Sequence, residues 1–141
     1  MKFFLDTSVL VAATRTLDQR HPASYRLVAR CEPEHASCAA HTLAEVYANL
    51  TGMPPPHRFL PAQALLILEG IRSKFNCIAL TAEEVFNTTQ RAATLKLPGG
   101  IIYDALLLTC ARKIGAEQIY TWNARHFQMV APDLAERILT P

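Results

Sequence analysis

Lys2-Phe3-Phe4-Leu5-Asp6-Thr7-Ser8-Val9-Leu10 opens the chain with a continuous apolar run, a carboxylate at its end and an apolar helix pattern beyond it. An apolar run without polar alternation fits a central strand covered on both faces. Ligands of open α/β sheets collect outside the carboxyl ends of the strands, so Asp6 stands where a site residue is expected. Outward from this stretch the pattern predicts helices over Thr7–Thr14 and Pro22–Cys31, a short strand over Ala36–Ala40 and a helix over His41–Leu50. It continues with helix Pro61–Lys74, strand Cys77–Leu80, helices Ala82–Leu95 and Ile101–Ile114, strand Gln118–Trp122, a short helix around Phe127 and an edge strand over Arg137–Leu139. The alternation predicts a three-layer α/β/α fold with a mostly parallel central sheet, one domain over residues 1–141.

Two breaks punctuate the pattern. Gly52-Met53-Pro54-Pro55-Pro56 reads as a stiff loop, because consecutive prolines donate no backbone bonds, and Pro98-Gly99-Gly100 reads as a turn. Leu43, Val46, Tyr47 and Leu50 are spaced as a buried helical stripe, with Glu45 and Asn49 together on another face. Leu65, Leu68 and Ile71 form a second stripe, read as core.

The 141 residues, half of them hydrophobic and 18% charged, suffice for one core and argue against extensive disorder. No apolar stretch reaches the length of a membrane span. Met1 leads at once into the strand pattern, which predicts a cytoplasmic protein without a leader. Cys31, Cys38, Cys77 and Cys110 include no Cys-x-x-Cys pair and are expected to be free thiols. Net charge is +2; with three acids set aside for a pocket, nine acids face 14 bases, a balance that suits a polyanionic partner.

Three carboxylates and one amide carry the candidate chemistry. Asp6 ends the first strand, Glu45 lies in the first turn of its helix, Asp104 opens the next apolar helix and Asn123 ends the Gln118–Trp122 run. Each also has a simpler role. Asp6 and Asn123 are favoured helix N-caps, Thr42-Leu43-Ala44-Glu45 has the form of a capping box, and Asp104 complements a helix dipole, an effect of about 0.3–1 kcal/mol. A shared location explains all four better than separate capping events.

The runs Phe4-Leu5-Asp6-Thr7-Ser8-Val9-Leu10, Ala44-Glu45-Val46, Tyr103-Asp104-Ala105-Leu106 and Thr121-Trp122-Asn123-Ala124-Arg125-His126-Phe127 together resemble the PIN-domain nucleases, most of all the VapC-type toxins. The resemblance runs from the first strand almost to the C-terminus. It implies an α/β/α fold, Mg²⁺- or Mn²⁺-dependent cleavage of RNA, a homodimer and inhibition by a cognate antitoxin. The family's acidic cluster falls on Asp6, Glu45 and Asp104; its fourth position, often an aspartate, falls on Asn123, which removes one negative charge. Thr7, Ser8 and Thr121 are expected to orient metal-bound waters.

Hard divalent ions prefer oxygen ligands, and Mg²⁺ commonly keeps several waters while binding one or two carboxylates. On this reading Asp6 and Asp104 are the principal ligands, Glu45 a ligand or water-orienting base and Asn123 a neutral outer ligand. Hydrolysis by that route needs no 2′-hydroxyl and leaves a 5′-phosphate and a 3′-hydroxyl. Arg15, Arg20, His57, Arg58, Lys96, Arg125 and His126 are candidate phosphate contacts, and Trp122 a candidate base-stacking residue. A phosphoaspartyl phosphatase would need a second aspartate where Ser8 stands; a noncatalytic RNA- or protein-binding domain is the competing reading, separated by an assay for metal-dependent cleavage.

Overall fold

The computed structural model describes residues 1–141. Five strands, β1 (Phe3–Leu5), β2 (Ala36–Ala39), β3 (Asn76–Ile78), β4 (Gln118–Tyr120) and β5 (Ile138–Leu139), form one sheet in the order β3-β2-β1-β4-β5. Every pairing is parallel, so the expected mostly parallel sheet is wholly parallel. Helices α1 (Thr7–Thr14), α2 (His21–Ala29), α3 (Thr42–Thr51), α4 (Pro61–Lys74), α5 (Ala82–Thr94), α6 (Ile101–Lys113) and α7 (Ala124–Val130) supply the crossovers and flanks, followed by a 3-10 turn at Pro132–Arg137.

Side chains alternate along β1, and that alternation builds two cores. Leu5 faces Val9, Leu10, Leu27, Val46, Leu50 and Ile71, whereas Phe4 faces Leu107, Leu108, Ile119, Phe127 and Leu134. Both are fully buried, each contributing about 1.5–3 kcal/mol of transfer free energy. Covering on both faces is why β1 reads as a continuous apolar run.

The order in which strands are added reverses across the sheet. The connection after β1 leads outward to β2, while the chain after β4 leads the other way to β5. β1 and β4 therefore flank a topological switch point, where the two crossovers diverge and open a crevice. Their ends carry Asp6 and the Thr121–Asn123 segment.

Several boundaries differ from the sequence reading. β4 stops at Tyr120, not Trp122: the Thr121 amide still bonds to Leu139, but the Trp122 amide donates to Ser8 Oγ instead. β3 begins at Asn76 and ends at Ile78, two residues short of Leu80. Tyr47 is not part of a buried stripe; Val46 and Leu50 are buried and Tyr47 is exposed. Leu65 likewise faces solvent, whereas Ile71 is buried and Leu68 packs against the core as expected, with Ala64 taking the inward position in place of Leu65. The four cysteines are free. Burial pushes the Cys31 and Cys110 thiols up to about 11, which leaves them protonated and poorly nucleophilic. No helix is long and apolar enough to cross a membrane.

Candidate functional site

Asp6, Glu45, Asp104 and Asn123 line one cleft of about 280 Å³, together with Thr7, Ser8, Arg15, Asp18, Arg20 and Asn49. Chain segments more than a hundred residues apart meet there because β1 and β4 are adjacent and α3 and α6 start beside their ends.

Asp6 is 4% exposed and does not cap α1 with its side chain. Its Oδ2 accepts two hydroxyl protons, from Ser8 Oγ at 2.8 Å and Thr121 Oγ1 at 2.8 Å. Each hydroxyl in turn accepts a backbone N–H: Ser8 Oγ from Trp122 at 3.0 Å and Thr121 Oγ1 from Asn123 at 3.0 Å. Two relays thus tie the exit of β4 to Asp6, hold the carboxylate and bring Asn123 to the cleft. Ser8 and Thr121 were expected to orient water; the structure commits their protons to Asp6. Thr7 Oγ1 lies 3.2 Å from Thr42 Oγ1, within hydrogen-bond distance.

The capping roles weighed for these residues do not form. His41, not Thr42, is the N-cap residue of α3, and no side chain bonds there. The same sequence pattern does form a capping box at α5, where Thr81 Oγ1 accepts from the Glu84 amide and Glu84 Oε1 accepts from the Thr81 amide. Thr42 is drawn inside α3 by its contact with Thr7, which leaves Glu45 free of the backbone. Asn123 precedes α7 without a side-chain cap bond.

Glu45 and Asp104 sit in an environment that disfavours their charge. Burial pushes the Glu45 carboxyl up, with Asp6 and Asp104 adding repulsion and the nearby Thr7 hydroxyl offsetting part of it. Glu45 Oε1 is sealed from solvent and takes no hydrogen bond; it lies 3.5 Å from His41 Nε2, itself sealed and without a hydrogen bond. Burial lowers the His41 pKa. Asp104 is raised by burial and by Asp6, against the opposing pull of His126, whose Nε2 lies 2.8 Å from Oδ2.

All-oxygen donors, mutual repulsion and a sealed carboxylate oxygen without a donor suit a hard divalent cation. No three His, Cys, Asp or Glu side chains are gathered closely enough to form a ready-made cage. The arrangement therefore fits a cation held by one or two carboxylates and otherwise by water.

Of the candidate phosphate contacts, Arg15 and Arg20 reach this cleft; His57 and Arg58 line an adjoining one; Lys96 and Arg125 line neither. His126 is turned to Asp104. Trp122 is not presented for stacking: its Nε1 donates to Ser24 Oγ at 2.8 Å, and the Arg20 guanidinium lies 5.9 Å from its ring. The sequence reading missed Asp18, which pairs with Arg20, and the His126–Asp104 contact, which no local spacing announces.

A parallel sheet in this order, with a carboxylate-lined crevice at its switch point, is the architecture of the PIN domain. The chain belongs to the PIN-domain family, whose profile matches residues 3–131. Within it, the chain is 38% identical over 112 residues to Ribonuclease VapC40 of Mycobacterium tuberculosis, covering 79% of this chain and 80% of that protein. It is 31% identical over 135 residues to Ribonuclease VapC27 of the same organism, covering 95% and 90%. Among solved structures, M. tuberculosis VapC20, described as a sarcin-ricin loop cleaving toxin, superposes with a TM-score of 0.73 at 20% identity, over 92% of this chain and 95% of that one. DNA-bound VapBC from Salmonella typhimurium gives a TM-score of 0.68 at 20% identity, over 99% and 98%.

Proposed function

We propose that this protein is a divalent-metal-dependent endoribonuclease and the toxin of a toxin–antitoxin pair. The observation that supports this reading most is the meeting of Asp6, Glu45, Asp104 and Asn123 around one cleft, in a chain similar to ribonucleases named VapC. Asp6 and Asp104 are the principal holders of Mg²⁺ or Mn²⁺, Glu45 a ligand or water-orienting base, and Asn123 a neutral outer ligand. When bound, the cation lowers the pKa of water and stabilises charge on the leaving oxygen. The protein's part is positional. Ser8 and Thr121 fix Asp6, and His126 holds one oxygen of Asp104. Glu45, kept short of hydrogen bonds, is left to accept a proton or a cation. The products are a 5′-phosphate and a 3′-hydroxyl.

The partners on this reading are RNA, a cognate antitoxin and a second copy of the chain, in the cytoplasm. Solved relatives that are VapBC complexes support the antitoxin partner, and the solvent-facing Leu65 and Leu66 of α4 offer apolar surface for association. The test is cleavage of single-stranded RNA by purified protein with Mg²⁺ or Mn²⁺, its loss on chelation, and its loss in folded Asp6→Asn, Glu45→Gln and Asp104→Asn. Cleavage that survives chelation, or all three substitutions, overturns the assignment.

A further inference from the structure

We propose that a basic strip leading from the cleft past Arg15 to His57 and Arg58 carries the RNA strand flanking the scissile phosphate. This inference rests on the nuclease reading and gives that site a binding track. The acidic cleft adjoins a second opening of about 440 Å³, lined by Thr14, Arg15, Asp18, His57, Arg58 and Gln63 among others. Arg15 and Asp18 line both, so the two openings adjoin. Asp6 and Arg15 bracket α1, whose eight residues span about 12 Å at 1.5 Å per residue. A strand with one phosphate at the carboxylates and running along α1 therefore meets Arg15 next and Arg58 beyond it.

Charge pairing decides which of these groups is available. Asp18 is already engaged: it accepts the Arg20 amide at 2.8 Å and faces its guanidinium at 3.2 Å, and those bonds lower its pKa. Arg20 is thereby largely neutralised. Arg15 and Arg58 form no ion pair. Arg58 is anchored through Nε to the Met53 carbonyl at 2.8 Å, which leaves its two terminal amino groups without a protein partner and limits the entropy lost on binding a phosphate. A polyanion approaching three carboxylates needs such unpaired cations nearby, and phosphate contacts of this kind position the strand without reading its sequence.

The test uses Asp6→Asn protein, so that binding is read without cleavage, and a fluorescein-labelled, mixed-sequence single-stranded oligoribonucleotide titrated by anisotropy across a salt series. Arg15→Gln and Arg58→Gln should each weaken binding about threefold to tenfold near 0.1 M salt and reduce the salt slope by about 0.7 per lost contact. Arg15→Lys should keep most of the slope. Arg91→Gln, in a separate cavity, should match the parent. Unchanged affinity and slope in both variants, or an equal loss in Arg91→Gln, overturns the track. So does normal RNA binding with lost affinity for a coexpressed antitoxin, which assigns the strip to a protein partner. A wild-type protein that binds RNA through these arginines but does not cut it contradicts the nuclease reading and leaves the track standing.

Discussion

His126 Nε2 lies 2.8 Å from Asp104 Oδ2, joining α7 to the first turn of α6 across the mouth of the cleft. The contact occupies one carboxylate oxygen and leaves Oδ1 without a protein hydrogen bond. A ligating carboxylate is oriented by such a partner, and loss of the partner commonly costs about tenfold to hundredfold in metal affinity. His126→Ala should weaken Mn²⁺ binding in calorimetric titration by that order while the protein stays folded. Tighter binding would show instead that the imidazole competes with the cation for Asp104.

Glu45 gives a prediction in pH. Its carboxyl holds a proton more tightly in the fold than in the unfolded chain. Just above the ordinary carboxylate range the native state therefore binds more protons, and stability is lost as pH rises through that window. Glu45→Gln should raise Tm at pH 7 in metal-free buffer, and the gain should vanish near pH 3, where the carboxyl is protonated in both states. With the side chain 39% exposed, solvent screening keeps the gain below about 1 kcal/mol. A Tm difference independent of pH would remove charge burial as its cause.

Thr121→Val keeps shape and removes the hydroxyl that donates to Asp6 and accepts from the Asn123 amide. Thr121 is fully buried, so the loss should cost about 1.5–3 kcal/mol in denaturant unfolding. RNA cleavage should fall with it, because Asp6 loses one of its two fixed donors. Full activity at reduced stability would confine Thr121 to folding.

Asn123 is neutral where the other three candidate ligands, Asp6, Glu45 and Asp104, are acids. Asn123→Asp should tighten Mn²⁺ binding, read by calorimetry, because it adds a charged oxygen ligand to the same wall. Unchanged or weaker binding would place the side chain outside the metal's reach.

Much of this was legible in the chain because the signals are local. The apolar run Phe3–Leu5 marks a strand covered on both faces, and α4 was readable to its ends, with Pro61 at its first position and Lys74 at its last. Asp6, Glu45, Asp104 and Asn123 were visible as polar residues at element ends. Their shared location was expected from the four motifs together, whereas the pairing of β4 beside β1 that brings them to one cleft has no local signal. Thr42-Leu43-Ala44-Glu45 has the form of a cap that does not close, because Thr42 lies inside α3 in contact with Thr7. The long-range links of the hydroxyl relays, Thr121 to Asp6 and Trp122 to Ser8, and the His126–Asp104 contact join residues 22 to 115 apart, distances over which sequence spacing carries no signal.

Sequencing of RNA 5′ ends after brief expression of the wild type and of Asp6→Asn tests the central claim most directly. The account predicts new 5′-monophosphate ends at recurrent sites in the wild type, their absence in Asp6→Asn, and 3′-hydroxyls on the matching fragments. Equal ends from both proteins, or 5′-hydroxyl ends with 2′,3′-cyclic phosphates, would contradict a carboxylate-held, metal-dependent hydrolysis at this cleft.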